Sequence, residues 1–239
     1  MGCMDRLHKH ILCVWTVLPV LLFLFSACSR GDYLDTDSYD SRYAWRPLDD
    51  FSSQAVGTVK TRGEVRFIQL DPVSAGFVVN PDYLGGIADG TRVFLQYRTV
   101  VSPDTPDFCT DAILLEGVSP LDMGDIRSSV PADPGDPLAI VTDWITCLED
   151  GFLTLHYAIL SKGKATHSFS LYPSGTPYDF VLVHDAHGDT EGERADGIVC
   201  FALDGLLPET GDETITLSMT YLNIGNTKQT LTFEYRSPK

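Results

Sequence analysis

Thr214-Ile215-Thr216-Leu217-Ser218-Met219-Thr220-Tyr221-Leu222 alternates apolar and polar residues without a break. A period of two puts Ile215, Leu217, Met219 and Tyr221 on one side of an extended chain and the hydroxyl residues on the other. The stretch therefore reads as a strand with one face in a core and one in water. After a turn at Gly225-Asn226, residues Gln229–Tyr235 repeat the pattern with Leu231, Phe233 and Tyr235. Working back along the chain gives five more strand candidates: Leu138–Thr142, Phe152–Leu160, Ala165–Leu171, Asp179–His184 and Gly197–Leu203. Turns separate them at Asp150-Gly151, Ser161–Gly163 and Pro173–Gly175. Seven strands of this kind predict a two-sheet sandwich. The one possible helix, Asp204–Pro208, is brief.

Strand signals also fill the first half. Ala55–Val59 alternates weakly, and Glu64–Leu70 alternates better. Gly76–Val79 is a short apolar run. Thr91–Val101 follows a turn at Asp89-Gly90 and places Val93, Leu95, Tyr97 and Thr99 on one face. Ala112–Leu115 leads into Glu116-Gly117-Val118. Five short strands at this spacing predict a small Greek-key barrel or sandwich. Ser128–Pro137 holds three prolines and a glycine, which forbids regular structure and marks the domain boundary.

The N-terminus is of another kind. Arg6 and Lys9 make a basic start, and Ile11–Phe25 is almost wholly apolar. That run is shorter than the roughly 20 residues that span a bilayer and has the length of a signal-peptide core. Small residues Ser26-Ala27 then precede Cys28. A cysteine directly after such a site predicts a lipobox: cleavage before Cys28 and a lipid on its thiol. Residues 1–27 read as a lipoprotein signal peptide, with Phe25 in place of an aliphatic lipobox residue. Residues 28–52, rich in Asp, Ser and Tyr without period, read as a flexible acidic tether.

The 239-residue chain carries a net charge of −16. A phosphate backbone would be repelled by that field, so no nucleic-acid partner is expected. Beyond Cys28 the remaining cysteines after cleavage are Cys109, Cys147 and Cys200, an odd set. Cys147 and Cys200 lie in apolar stretches and either pair or serve as small buried hydrophobes. No CxxC or Cys/His cluster points to zinc or redox work.

Several stretches carry a resemblance. They are Asp89-Gly-Thr-Arg-Val-Phe-Leu-Gln-Tyr97, Asp150-Gly-Phe-Leu-Thr-Leu-His156, His184-Asp-Ala-His-Gly-Asp189, Gly197–Phe201 and Leu217–Tyr235. In this order, behind a lipobox and an acidic tether, they resemble the NigD-like lipoproteins of Bacteroidales over about Val56 to Tyr235. The resemblance implies an OB-like N-terminal domain and a β-sandwich C-terminal domain. It also implies a link by name to a bacteriocin locus. It supplies no catalytic residues.

Candidate chemistry is sparse. His184, His187 and Asp189 could offer two imidazoles and a carboxylate to a transition metal. On a strand, however, residues three apart face opposite ways, so the favoured reading is a polar strand end with a solvated acidic loop and no metal. No G-x-S-x-G nucleophile elbow, phosphate loop or EF-hand loop occurs. Trp144, Tyr172 and Tyr178 are loop-associated aromatics that could contact a ligand, such as a sugar ring. The sequence thus predicts an all-β protein: a five-stranded OB-like barrel over 53–125 and a seven-stranded Ig-like or Greek-key sandwich over 136–237. It predicts no enzymatic activity and no cofactor. It predicts a protein- or peptide-binding module held at the outer membrane through Cys28. The alternatives are a surface glycan-binding lipoprotein, a bacteriocin-associated immunity-type accessory and, last, a hydrolase or metalloprotein.

Overall fold

The computed structural model describes residues 46–47 and 52–236, except 71–72, 177, 204, 208 and 212. The signal peptide, Cys28, most of the 28–52 tether and both ends of the possible helix Asp204–Pro208 lie outside the described residues. Among the described residues every regular element is a strand, apart from one 3-10 turn at Pro81–Leu84.

The N-terminal sheet holds β1 (Arg46–Pro47), β2 (Ser53–Arg62), β3 (Val65–Gln69), β4 (Ala75–Val78), β5 (Arg92–Val101) and β6 (Asp111–Pro120). Pairing runs β2–β3–β4–β6–β5 and returns to β2, with β4 and β6 parallel and the other contacts antiparallel. This closed circuit of five strands leaves no free edge between them. A register shift between Gln96 and Tyr97 breaks the β5–β6 ladder. Val59, Ile68, Val78, Leu84, Val93, Leu95, Ile113 and Leu115 fill the interior.

Two five-stranded sheets form the sandwich. Their strands are β7 (Asp122–Met123), β8 (Asp125–Ile126), β9 (Ala139–Val141), β10 (Cys147–Glu149), β11 (Phe152–Ser161), β12 (Ser168–Pro173), β13 (Asp179–Asp185), β14 (Glu193–Ala202), β15 (Ile215–Leu222) and β16 (Lys228–Tyr235). One sheet is ordered β10-β11-β14-β7, with β9 also on β11; the other is β16-β15-β13-β12-β8. The seven expected strands are all present, and β7, β8 and β10 join them. These three are two or three residues long, too short to carry a period that sequence reading could detect. Asp122–Met123 falls within the first domain as expected over 53–125 and Asp125–Ile126 straddles its end, yet both pair with strands of the sandwich, β14 and β12. Between the sheets sit Leu153, Leu155, Phe169, Leu171, Leu182, Phe201, Leu217, Met219 and Tyr221, among others.

The outer face of β11 is not polar surface. Phe152 and Thr154 are buried there, because the N-terminal domain covers them. The guanidinium of Arg92, fully buried, crosses this seam. It donates to Thr58 Oγ1 at 3.1 Å and Thr154 Oγ1 at 3.4 Å, and it pairs with Glu149 at 3.4 Å. It also lies 5.9 Å from the Phe152 ring centre. Lys60 reaches across beside it to Asp150 at 2.5 Å. Thus Arg92 and the Asp150–Leu155 stretch, both within the sequence patterns quoted above, meet at the domain seam.

Register also settles the cysteine alternatives. Thr154 stands between Cys147 and Cys200 on neighbouring strands. The two cysteines are therefore two strand spacings apart, roughly 9.5 Å, beyond the roughly 7 Å limit for a disulfide. Both are free, as is Cys109. Burial pushes the thiols of Cys147 and Cys200 up to about 11, which suits small packed groups rather than nucleophiles.

Candidate functional site

After β8 the chain does not turn straight into the next strand. Arg127 donates its backbone N–H to the Leu171 carbonyl at 3.0 Å. The proline-rich stretch then runs as a strap, and it is fastened to the end of β13. The Asp136 N–H donates to the His184 carbonyl at 2.7 Å, and Asp136 Oδ2 accepts from the Ala186 N–H at 2.8 Å. Gly135, at φ +80°, lies so close that a Cβ there would sit 2.5 Å from the His184 carbonyl oxygen. Only glycine fits that backbone and that approach.

Between strap and sheet lies a cleft of about 520 Å³. Pro131, Asp133, Gly135 and Asp136 line it from the strap. Ser168, Ser170 and Tyr172 line it from β12, and Val183 and Asp185 from β13. The strand period explains the lining: Phe169 and Leu171 point into the core, so Ser168, Ser170 and Tyr172 point the other way. The Arg127 guanidinium at one end is held by Asp125 at 2.8 Å. His184 and His187 complete the lining, so the cleft is polar and holds carboxylates, imidazoles and the Tyr172 ring.

Beneath the cleft two histidines meet. His167 Nδ1 and His184 Nε2 are 2.8 Å apart, and the rings stack at 5.0 Å. Phe169 stacks on His184 as well. Burial and the neighbouring His167 hold His184 below its ordinary value. On the far side, His167 Nε2 lies 3.7 Å from Asp189 Oδ2. Asp189 itself accepts from the N–H groups of Lys162 at 3.0 Å and Lys164 at 2.9 Å, and from Ser161 Oγ at 2.8 Å. Those backbone donors hold its carboxyl well below the usual range.

The structure therefore rearranges the sequence candidates. His184 is buried, while His187 sits beyond the strand end at φ +50° with an exposed ring. The two do not converge, and Asp189 turns to His167 instead. Among the described residues no three His, Cys, Asp or Glu groups are arranged to hold a metal ion. Tyr172 lines the cleft, and Tyr178 lies at the far end of the β12–β13 connection, where its carbonyl accepts from the Ser218 N–H. Trp144 stands apart from both. It is 53% exposed and packs 6.1 Å from Phe94 at the domain seam. Sequence reading missed the strap and His167. The one signal was the pairing of 165–171 with 179–184, which sets Ser168 opposite Asp185 and so brings position 167 beside 184.

Solved structures share this fold over most of the chain. A toxin-related protein from Parabacteroides distasonis superposes with a TM-score of 0.65 at 23% identity, over 78% of this chain and 94% of that one. A NigD-like immunity protein from Bacteroides caccae gives 0.54 at 19% identity, over 77% and 96%. A protein described as a lipoprotein from Bacteroides fragilis gives 0.53 at 11% identity, over 79% and 100%. No curated protein sequence matches this chain. Residues 131–235, which comprise the strap and the sandwich strands from β9 onward, match the NigD-like C-terminal beta sandwich domain.

Proposed function

We propose that this chain is a non-catalytic lipoprotein of the outer membrane that binds a segment of a partner protein in the cleft between the strap and the β12–β13 face. The observation that carries this reading is the strap. A glycine with positive φ and a half-buried aspartate bond hold an irregular, proline-rich segment over a polar sheet surface, which creates a cleft there. The carboxylates of Asp133 and Asp185, the hydroxyls of Ser168 and Ser170 and the Tyr172 ring offer an extended segment both polar and flat contacts. Anchorage at Cys28 would hold this cleft near the membrane and raise its effective concentration toward envelope partners. A solved relative of similar fold is named an immunity protein, and a toxin is one kind of partner that such a site could take.

A photo-crosslinking residue at Ser170, compared with one at the distant exposed position Leu160, tests the site. The expected result is a discrete adduct in intact envelopes from position 170 alone; equal labelling from both positions overturns the reading. A Cys28→Ser chain should move from the membrane to the soluble fraction, and continued co-sedimentation with lipid would remove the anchor from the proposal. Tyr172 with the two serines also favours a second reading, capture of a short glycan. A glycan array decides that case, with Tyr172→Ala and not Trp144→Ala as the variant expected to lose binding.

A further inference from the structure

We propose that the His167–His184 pair is an acid-sensitive fastener of the cleft: the rings stay joined while one proton bridges them, and a further proton at that bridge parts them and loosens the strap. The proposal concerns regulation of the cleft and rests on the cleft being the binding site.

The geometry leaves room for one hydrogen at the bridge. His167 Nδ1 and His184 Nε2 face one another at 2.8 Å, so one nitrogen donates and the other accepts through its lone pair. A proton taken up by the accepting nitrogen turns the acceptor into a second donor. Once both rings are charged, two N–H groups face each other at the bridge and the bond is lost to repulsion. The outer nitrogens, His167 Nε2 and His184 Nδ1, are buried and have no hydrogen-bond partner.

The surroundings are unequal. Asp189 faces the outer nitrogen of His167 at 3.7 Å. Lys162 and Lys164 present backbone N–H groups to Asp189, and the Lys162 ammonium is turned onto Glu191. Phe169 gives His184 an apolar face. Asp136 and Pro137 of the strap border the His184 ring through their backbone, and the Asp136 carboxylate is bonded to Ala186. Asp185 and His187 pair with each other at 3.3 Å on the exposed side. Among the described residues, these groups leave the bridge itself without a carboxylate to offset a second charge. The strap is bonded to the carbonyl of His184 itself, so displacement of that residue acts directly on the strap.

The direction follows. The unfolded chain takes a proton on His184 at the ordinary value, about 6.5, whereas the folded chain takes it only at lower pH. The fastening is therefore complete above about pH 6.5 and weakens as pH falls toward the depressed value.

The test uses the full-length protein in detergent micelles. Amide exchange of residues 131–137, corrected for the intrinsic pH dependence, is measured from pH 7.5 to 4.5 together with exchange at the ring carbons of His167 and His184. The expected result is at least a tenfold loss of strap protection on acidification and a His184 titration below the ordinary histidine value of about 6.5. His167→Gln keeps a donor for His184 and cannot be charged, so the acid response should flatten; His187→Gln should leave it unchanged. Constant strap protection across the range, or an undiminished response in His167→Gln, overturns the proposal. If His167→Gln fails to fold, the native titration decides: independent, ordinary titration of both rings overturns it. None of these readouts needs a ligand, so failure of the cleft to crosslink a partner is separable from failure of the fastener.

Discussion

Arg92 shows how much one residue can hold. Its charge is buried at the domain seam, and Glu149, 29% exposed, pairs with it. Removal of one partner of a buried pair is costlier than removal of both, because a lone buried charge has no compensation. Glu149→Gln should therefore destabilise by about 2–3 kcal/mol, somewhat under the fully buried case because Glu149 keeps contact with water. Addition of Arg92→Met to that variant should recover part of the loss in urea unfolding. A double variant less stable than Glu149→Gln would mean that the threonine bonds outweigh the charge. Asp189 is a second test. Its carboxyl is held low by the N–H groups of Lys162 and Lys164. Its contribution is thus present above the ordinary carboxylate range, near pH 3.9, and lost as pH falls below it. Asp189→Asn should melt at a lower temperature at pH 7, and the difference from the native protein should shrink between pH 4 and 2. A difference that does not change with pH would show that the side chain acts by shape alone.

Among the elements, the hairpin β10–β11 was readable in sequence and its consequence was not. Asp150-Gly151 was marked as a turn, and both residues have positive φ, at 51° and 79°. A two-residue loop of this form is the type that matches strand twist. Gly151→Ala should cost about 1–2 kcal/mol in thermal or urea unfolding, from the left-handed backbone alone; no measurable cost would mean that the turn relaxes freely. The turn also presents Asp150 to Lys60 of the other domain, which no local pattern announces. The same limit applies to β11. A sandwich strand is expected to keep one wet face, yet Phe152–Leu155 are buried on both sides, because the covering surface comes from residues some sixty positions away. Strands with a period of two were legible in the sequence. The strap was legible only as an absence of regular structure, since its place over β12–β13 depends on single bonds from Asp136 and Arg127.

For the molecule as a whole, the order of chain and space do not coincide at the crossing between domains. Residues 122–126 contribute one strand to each face of the sandwich: β7 beside β14 and β8 beside β12, both parallel. A piece of polypeptide commencing at position 131, where the match to the C-terminal sandwich domain begins, would lack both. Val199 and Cys200 on one side and Ser170 and Leu171 on the other would then show open backbone to any neighbouring strand. A recombinant fragment 120–239 is therefore expected to stay monomeric in gel filtration, while 131–239 should self-associate. Anyone dissecting this protein should cut upstream of the stitch, because those five residues are the hem that keeps both cloths from fraying.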